Sequence, residues 1–386
     1  MKLLTTHDIG SLAKPPWRVK AMRNIPLNNN DIDEAVKWGE KLHIDALPNL
    51  KELLQKRNGF SPQEKNKILL YSSLYGTKFL EAAGLDIVWD GEQHRVEMYE
   101  YPIRRTNGFT FHGHVRSFDN KYYRRASCEL TPECKTPYHL EEYRTIQSFA
   151  SCPVKIPVTG AYTLADWSYD SYYRKDTYPG GNAILAKQKS ARKQFLSDLA
   201  SRVIYPNLKA LVDEGAQYLQ IDEPAAATKR AETDLFIDAM KKSISDLAGR
   251  AFFSVHICYS AYHRLFPKIL ELEGYLNEIH LEYANRDSRE LGISDRERPG
   301  YSLLKLLKDT PFNIGLGVLD IHTDWIEPPE LVRDRILHAC RVLGDPSRIL
   351  VAPDCGLRTR TWKVAFEKLR NLTAGVQMAR TAINPC

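Results

Sequence analysis

The sequence contains no apolar run approaching the ~20 residues that a membrane-spanning helix needs. Its first residues also lack the apolar stretch and cleavage pattern of a secretory leader. The seven cysteines, an odd number in a chain of 386 residues, do not match the paired framework of a secreted disulfide-rich domain. We therefore expect no membrane association and a cytoplasmic protein with reduced thiols, some of which hold a metal ion.

A large excess of one charge sign is also missing. The chain has 54 Lys and Arg residues against 48 Asp and Glu residues, a surplus of six positive charges. Anionic small ligands are compatible with this balance, but a nucleic-acid partner is not predicted. Hydrophobic residues make up 43% and charged residues 26% of the chain, which excludes a disordered chain, a coiled coil or a collagen-like repeat.

Short β-rich runs alternate with long helical patterns along the whole chain. Helical patterns cover, among others, residues 31–57, 61–83, 183–214, 233–247 and 361–380. Strands are predicted at residues 2–6, 85–89, 153–159, 218–221, 252–255, 276–281, 313–319 and 348–352. This alternation is typical of βαβ units with a parallel sheet. Because eight strands can be counted, we predict an α/β fold of the (β/α)8 TIM-barrel type, with a doubly wound open sheet as the alternative. One catalytic barrel over residues 1–386 is expected.

One segment interrupts the alternation. Residues 104–129 read as two strands of a β-hairpin, within an insertion at about residues 102–150 after the second barrel strand. The hairpin region holds His112, His114, Cys128 and Cys134. Two histidines and two cysteines are possible zinc ligands, but a solvated excursion is the favoured interpretation.

Candidate metal ligands follow three of the predicted strands. His256 and Cys258 are two residues apart, so both side chains point the same way at a strand end. Glu282 and Cys355 end two further strands. The carboxyl ends of barrel strands meet at one face, where an imidazole, two thiolates and a carboxylate make a tetrahedral zinc shell. Two thiolates disfavour magnesium and calcium, which prefer oxygen ligands.

Two acidic residues, Glu92 and Asp222, end the second and fourth strands and can clasp an ammonium group from two sides. Gly10 and Ser11, after the first strand, offer N–H groups and a hydroxyl to a carboxylate. Together these residues predict a pocket for a zwitterionic amino acid beside a metal that binds thiolates. Solvated loop carboxylates are the alternative interpretation of each acidic residue taken alone.

Two further side chains lie at strand ends. Trp167 follows the third strand, where an indole either stacks on a planar ligand or packs into the core. His322 ends the seventh strand, as a proton donor or as a structural histidine.

These strings, in this order, resemble the catalytic C-terminal barrel of cobalamin-independent methionine synthase, and they span nearly the whole chain. The two most specific elements follow strands five and eight, and the others would be weak alone. The matching strings are Asp8-Ile9-Gly10-Ser11, Gly91-Glu92, Trp167-Ser168, Gln220-Ile221-Asp222-Glu223-Pro224, His256-Ile257-Cys258-Tyr259-Ser260, Glu282, Asp320-Ile321-His322 and Pro353-Asp354-Cys355-Gly356-Leu357-Arg358-Thr359-Arg360.

The resemblance implies a zinc-dependent S-methyltransferase that forms methionine from homocysteine, with roles for particular residues. The positions that hold zinc in the family match His256, Cys258, Glu282 and Cys355. Homocysteine would place its carboxylate at Ile9, Gly10 and Ser11 and its amino group at Glu92 and Asp222. The tryptophan that contacts methylfolate matches Trp167, and the proposed proton donor matches His322. Asp166, which stands before Trp167 in place of the usual Asn, is expected with it at the methyl-donor site.

The methyl donor is left open by the sequence. Plant and most bacterial members carry an additional N-terminal barrel that helps hold the folate tail, whereas this chain resembles the single-barrel core form found in archaea. Both a methylfolate or methylpterin and a methylated corrinoid protein are therefore expected partners beside homocysteine. Methyl transfer to another thiol, such as coenzyme M, and a non-catalytic interaction module are the competing hypotheses.

Overall fold

The computed structural model describes residues 2–56, 59–116, 122–175, 177, 183–258 and 261–383. Its centre is a parallel sheet of six strands in the order β3-β5-β6-β7-β8-β9. In chain order, the strands are β1 Thr106–Arg116, β2 Tyr122–Cys134, β3 Lys155–Thr159, β4 Tyr169–Asp170, β5 Tyr218–Asp222, β6 Phe252–Ile257, β7 Glu278–Leu281, β8 Asn313–Gly317 and β9 Ile349–Ala352. The central strands are buried along their length, as expected for a sheet covered on both faces.

Two short extended segments connect the edges of this sheet. Thr6 forms a parallel bridge with Val351 of β9, and the next residue, His7, forms one with Ile87. Val88 then bridges to Val154, directly before β3. The predicted first and second strands are therefore present as single bridges, and with the six long strands they complete a ring of eight parallel positions. The predicted barrel fold is confirmed, and the open sheet is not the arrangement observed.

Helices surround the ring. The second predicted helix begins with a capping box, in which Ser61 and Glu64 bond each other's backbone N–H groups. The helix predicted over residues 31–57 is instead two helices, since the chain leaves helical geometry after Lys41. The helices are α1 Pro16–Met22, α2 Asn29–Lys41, α3 Leu47–Leu54, α4 Pro62–Ala82, α5 Glu100–Ile103, α6 Leu140–Phe149, α7 Ala161–Asp166, α8 Ala183–Leu199, α9 Tyr205–Asp213, α10 Thr233–Ile244, α11 Pro329–Leu343 and α12 Trp362–Ile383, with a π-helical turn Ala200–Ile204 between α8 and α9.

Two of the expected helical connections are shorter than predicted. In the described residues between β6 and β7, and between β7 and β8, the chain forms 3-10 segments in place of α-helices. Pro267 and Pro299 lie in these connections, and proline lacks the N–H group that a helix interior uses. These segments are Tyr262–Arg264, Lys268–Leu272, Ala284–Arg286 and Pro299–Leu306.

The predicted hairpin is confirmed and larger than expected. Strands β1 and β2 pair antiparallel from Thr106 opposite Cys134 to Arg116 opposite Tyr122. A third strand, β4, pairs in parallel with β2. Because β4 follows Trp167 and Ser168 directly, this pairing attaches the hairpin to the loop after β3.

No helix in the described part of the chain has the length and hydrophobicity of a membrane span. None of the six cysteines that the structure describes forms a disulfide bond.

Candidate active site

A cavity of about 600 Å³ opens at the carboxyl ends of the barrel strands, within the ~300–1,000 Å³ typical of ligand sites. Its wall contains most of the residues singled out in the sequence, namely Ile9, Gly10, Ser11, Glu92, Trp167, Asp222, His256, Cys258 and Cys355. Residues from the chain's beginning, middle and end therefore share one cavity, as the barrel prediction requires.

Three of the predicted metal ligands converge in this cavity. The ligand atoms of His256, Cys258 and Cys355 all lie within 4.8 Å of one another. His256 Nε2 is 3.3 Å from the Cys355 sulfur. His256 is the fifth residue of β6 and Cys258 directly follows the strand, so the period of two along a strand places both side chains on the same side. The group can hold a metal ion that accepts nitrogen and sulfur ligands.

Burial keeps two members of this group, His256 and Cys258, neutral. The neighbouring Cys355 thiol, burial and the charge of Glu282 raise the pKa of Cys258 well above its ordinary value. Burial, together with the charges of Lys155 and His7, lowers the pKa of His256 to about 3. A neutral imidazole keeps the lone pair that a metal requires. The two thiols lie close to one another and to a carboxylate. A bound cation would therefore stabilise the negative charge that these groups carry when they are deprotonated.

Glu282 is buried directly after β7 but does not belong to the group of three. Its Oε2 accepts a hydrogen bond of 2.7 Å from the Asn285 side chain. The backbone N–H groups of Tyr283, Ala284 and Asn285 all donate to the carboxylate of Asp354 at 2.7–3.0 Å. Since Cys355 follows Asp354, this contact holds the loop after β7 close to the cysteine that ends β9.

A second histidine, His280, lies within hydrogen-bond distance of His256. His256 Nδ1 lies 2.8 Å from His280 Nδ1, and both rings are buried. One imidazole N–H donates to the other in this pair. A proton on His256 Nδ1, donated to His280, leaves His256 Nε2 available to a metal, as outer hydrogen bonds commonly do at metal-bound histidines.

Glu92 and Asp222 are both buried and both line the cavity. Burial and the negative charge of Glu92 raise the pKa of Asp222 to about 8. Glu92 follows Gly91, and both have left-handed backbone angles, with φ of 56° and 69°. A Cβ at Gly91 would lie 2.7 Å from the Leu12 side chain, so glycine is required in this turn. The strain at Glu92 is typical of a functional position.

The segment Ile9, Gly10 and Ser11 forms the adjoining wall. A Cβ on Gly10 would lie 3.5 Å from Glu92 Oε1, and one on Gly356 would lie 2.5 Å from the Ser11 hydroxyl. Within the described residues, the N–H groups of Gly10 and Ser11 have no hydrogen-bond acceptor. Two such N–H groups beside two carboxylates suit the two ends of an amino acid.

The barrel interior beneath the cavity carries a polar network that the sequence analysis missed. Lys155 Nζ lies 2.6 Å from both His7 Nδ1 and Gln220 Oε1, and Gln220 Nε2 donates to Asp222 Oδ1 at 2.6 Å. Gln220 and His280 each lie two residues before a predicted site residue. That period of two is the signal that could have identified them, because alternate residues of a barrel strand point inward.

The hairpin contributes a wall of the cavity, which the sequence did not predict. Its residues His114, Tyr122, Tyr123 and Arg124 line the cavity. The ring of Tyr123 stacks on Trp167 with centroids 5.4 Å apart and planes 29° apart. The aromatic pair is accessible from the cavity, so Trp167 is not a core residue.

The structure places two other predicted residues outside the cavity wall. Asp166 pairs with Arg192 at 3.3 Å and with Lys229, on the outer side of α7. His322 has an exposed side chain in the loop after β8, and its neighbour Ile321 is the residue that lines the cavity. The roles predicted for both remain predictions.

Elsewhere in the part of the chain that the structure describes, the side chains that could bind a metal do not cluster. In the described ranges, the group at His256 is the only cluster of three or more ligand side chains. The hairpin thiols instead donate to backbone carbonyls, Cys128 to that of Leu130 and Cys134 to that of Thr136. Tyr259 and Ser260, which belong to one of the matching strings, lie outside the described residues.

Comparison with known proteins identifies the family. The family described as the catalytic domain of cobalamin-independent synthase matches residues 55–380. A methionine synthase of Thermoplasma volcanium is 38% identical over 96% of each chain, and one of Thermoplasma acidophilum is 33% identical over 99% of each.

Solved structures share the fold. A B12-independent methionine synthase from Shewanella sp. W3-18-1, in complex with selenomethionine, has a TM-score of 0.73 at 22% identity over 99% of each chain. A methyltransferase from Methanosarcina mazei has a TM-score of 0.57 at 11% identity and covers 98% of this chain and 94% of its own. The family match covers most of the sequence, and the Thermoplasma relatives align along nearly their full length. This chain therefore belongs to the cobalamin-independent methionine synthase family.

Proposed function

We propose that this protein transfers a methyl group to the thiol of homocysteine, forming methionine, with zinc as its metal. The observation that carries the proposal is one cavity with His256, Cys258 and Cys355 at its floor and Glu92 and Asp222 in its wall. An amino acid with a thiol side chain has a sulfur for the metal ligands and an ammonium group for the two carboxylates.

The donor set fits zinc. Two sulfurs and an imidazole nitrogen are borderline-soft ligands that favour zinc over magnesium or calcium. In this proposal Glu282, the buried acidic residue whose charge acts on Cys258, would be the fourth ligand. Zinc would supply one property, a lowered pKa for a thiol that binds to it. Thiol ligands must stay reduced, which agrees with a cytoplasmic protein.

The protein's own residues position the amino acid. The two carboxylates of Glu92 and Asp222 would bind its ammonium group, and the N–H groups of Gly10 and Ser11 would bind its carboxylate. Gln220 holds Asp222 at 2.6 Å and also donates to the Ile9 carbonyl, so one side chain connects the two halves of this pocket. With both ends of the substrate held, its thiol is directed to the floor of the cavity.

The donor that best fits the cavity is a methylfolate or another methylpterin. A flat bicyclic ring can contact the accessible Trp167 and Tyr123 pair, and a volume of about 600 Å³ holds such a ring together with an amino acid. A corrin macrocycle would have to remain at the mouth. As the new S–CH3 bond forms and the donor's N–CH3 bond breaks, a proton must reach the donor nitrogen. We assign that proton to His322, which must move inward from its exposed position.

Two competing functions fit the cavity less well. A sulfonate thiol such as coenzyme M has no ammonium group for two adjacent carboxylates. An interaction module without activity has no use for a cavity that joins metal ligands to an amino-acid pocket.

The test is methionine formation by zinc-loaded, reduced protein, with methylfolate and methylcobalamin offered separately. We expect turnover with methylfolate and its loss in Trp167→Ala. Turnover with methylcobalamin alone would instead assign the donor role to a corrinoid carrier. No turnover with either donor, but methylation of coenzyme M, would contradict homocysteine as the acceptor.

His280 provides a second test of the metal assignment. His280→Val removes the hydrogen-bond partner of His256 and should weaken zinc affinity by about 10–100-fold, the range for loss of an outer-shell partner. His280→Gln keeps an acceptor oxygen and should retain most of the affinity. Zinc competition with a chelator measures both variants, and circular dichroism confirms folding. Equal zinc affinity in His280→Val and the parent protein would show that His280 does not orient His256.

A further inference from the structure

A lysine occupies the interior of the barrel, where branched apolar side chains usually pack. Lys155 begins β3, is 4% exposed and lies beneath the cavity without lining it. A buried ammonium group loses its hydration, so it is stable only where other groups compensate for that loss. The chemistry proposed above assigns no role to this side chain.

Three acceptors surround the ammonium group of Lys155. Its Nζ lies 2.6 Å from His7 Nδ1 and 2.6 Å from Gln220 Oε1, and it also donates to the carbonyl oxygen of Asp8. An ammonium group has three N–H bonds and no acceptor, so His7 Nδ1 must accept. Burial, together with the charge of Lys155, lowers the pKa of His7, which agrees with a neutral ring. Each N–H bond of Lys155 therefore has its own partner.

The charge of Lys155 is balanced by acidic side chains around it. Burial lowers the pKa of Lys155, and the negative charges of three acidic residues oppose that effect. They are Asp8, Glu278 and Asp222. Glu278 Oε1 also lies 3.4 Å from His7 Nε2, the nitrogen that carries the ring proton when Nδ1 accepts from Lys155. The buried cation thus belongs to a connected polar group that includes an acidic residue of the cavity wall.

The contact with Lys155 fixes the orientation of the Gln220 amide. Because Gln220 Oε1 accepts from Lys155, the NH2 group must point the other way. Gln220 Nε2 lies 2.6 Å from the carbonyl oxygen of Ile9 and 2.6 Å from Asp222 Oδ1. The opposite orientation would place the NH2 group against an ammonium group and the amide oxygen against two acceptor oxygens. Only one orientation satisfies all three contacts.

Lys155 therefore acts on two walls of the amino-acid pocket. It holds one wall, the backbone segment at Ile9, directly at the Asp8 carbonyl and through Gln220 at the Ile9 carbonyl. It holds the other wall through the hydrogen bond between Gln220 and Asp222. In the described residues, none of the acceptors of Lys155 is a metal ligand. Its hydrogen bonds thus serve the pocket and not the metal group.

We propose that Lys155 is a positioning residue for the amino-acid pocket, acting through the Gln220 amide. It holds the Asp222 carboxylate and the backbone at Ile9 at the spacing that receives the ammonium and carboxylate groups of one amino acid. The inference rests on the proposed function for the identity of that amino acid. Loss of this buried cation, which lies outside the cavity wall, should weaken amino-acid binding and leave zinc binding unchanged.

Calorimetric titration of the zinc-loaded, reduced protein tests this role with two probes, homocysteine and methionine. Methionine has the same ammonium and carboxylate groups but no thiol, so its binding reports on the pocket without the contact between thiol and metal. Lys155→Met should weaken binding of both probes by about tenfold, the effect of losing one hydrogen bond to a charged group. In a turnover assay, the KM for homocysteine should rise while kcat is retained. Metal analysis should find the zinc content of the parent protein.

Lys368→Met is the matched control. Lys368 is also a fully buried lysine, and it donates to Glu327 at 2.7 Å and to the Asp320 carbonyl at 3.0 Å. Its loss should reduce stability but leave the affinity for both amino acids unchanged. If Lys155→Met does not fold, Lys155→Met/Glu278→Gln replaces it with the same expected loss of affinity. That double variant removes a cation and a carboxylate together, so no uncompensated buried charge remains.

Gln220→Met tests the path of the effect. If Lys155 acts through Gln220, the variant Lys155→Met/Gln220→Met should lose less affinity than the sum of the two single losses, because the changes affect one hydrogen-bonded path. Fully additive losses would overturn the inference, and so would unchanged amino-acid affinity or loss of zinc in Lys155→Met. A parent protein that binds methionine with this dependence on Lys155 but does not methylate homocysteine would refute the proposed function and still support the role of Lys155. A parent protein that binds neither amino acid would overturn both.

Discussion

Cys355→Ser is expected to remove both bound zinc and methionine formation. The Cys355 sulfur is 3.3 Å from His256 Nε2 and belongs to the group of ligand atoms within 4.8 Å. A serine hydroxyl is not one of the side chains that hold zinc in proteins. The loss of affinity should exceed the ~10–100-fold that removal of an outer-shell partner causes. Metal analysis after dialysis and an activity assay measure the two effects.

The matched control is Cys340→Ser. Cys340 is a free, half-buried thiol on α11, away from the cavity wall. This variant should keep its zinc and its activity. Full zinc occupancy in Cys355→Ser would refute the metal site, whereas loss of zinc in both variants would point to general instability.

Asp222→Asn is expected to weaken homocysteine binding by about 10–100-fold, since hydrogen bonds to charged groups contribute ~1.5–3 kcal/mol and ~1.4 kcal/mol corresponds to a factor of ten. Glu92→Gln should have a similar effect because the two carboxylates face the same ammonium group. Calorimetric titration of homocysteine into zinc-loaded protein measures it. Exposed Asp238, paired with Lys193 at 3.7 Å, supplies the control Asp238→Asn. Unchanged homocysteine affinity in both cavity variants would contradict the zwitterion pocket.

Asp222→Asn, which should weaken homocysteine binding, should also make the folded protein less sensitive to rising pH. The pKa of Asp222 is raised to about 8 in the folded protein by burial and the charge of Glu92, while an exposed Asp has a pKa near ~3.9. Between these values the folded state binds more protons than the unfolded state, so this group's contribution to stability decreases as pH rises. Asp222→Asn, which remains neutral, should therefore lose less stability than the parent between pH 5 and pH 8.

Thermal unfolding of the homocysteine-free proteins across that pH range checks the prediction. Parallel pH dependences of the two proteins would contradict the raised pKa. In the parent, bound homocysteine should reduce the pH dependence, because its ammonium group stabilises the ionised form of Asp222.

Much of the fold could be read from the alternation of apolar runs and helical patterns. The six long central strands lie close to their predicted ranges, and the hairpin lies in the predicted insertion. The segments predicted as the first and second strands form only single bridges. The replacement of α-helices by 3-10 segments, in the described residues after β6 and β7, was not predicted either. Helical periodicity in a short segment does not show whether the tertiary structure will accommodate a full helix.

The site residues that could be predicted from the sequence are metal-binding or acidic side chains located at the end of a strand. His256, Cys258, Asp222 and Cys355 follow this rule, and all four line one cavity. His280, Gln220 and Lys155 were missed because their importance comes from contacts with residues on other strands. The alternation of side chains along one strand shows which face of the sheet a residue occupies. It does not show which residues of other strands the side chain contacts.

The sequence by itself determined the family, the parallel α/β architecture and the residues at the cavity floor, since these depend on local periodicity and on distinctive short strings. The tertiary structure decided how the hairpin is used. Its second strand, β2, pairs with β4 next to Trp167, and the backbone N–H of Ala126 donates to the Tyr99 hydroxyl that contacts Ser168. The sequence of the hairpin favours a solvated excursion, but these long-range contacts place the hairpin in the wall of the cavity. The physical reason is that the position of an inserted hairpin depends on its partners across space, which no local pattern encodes.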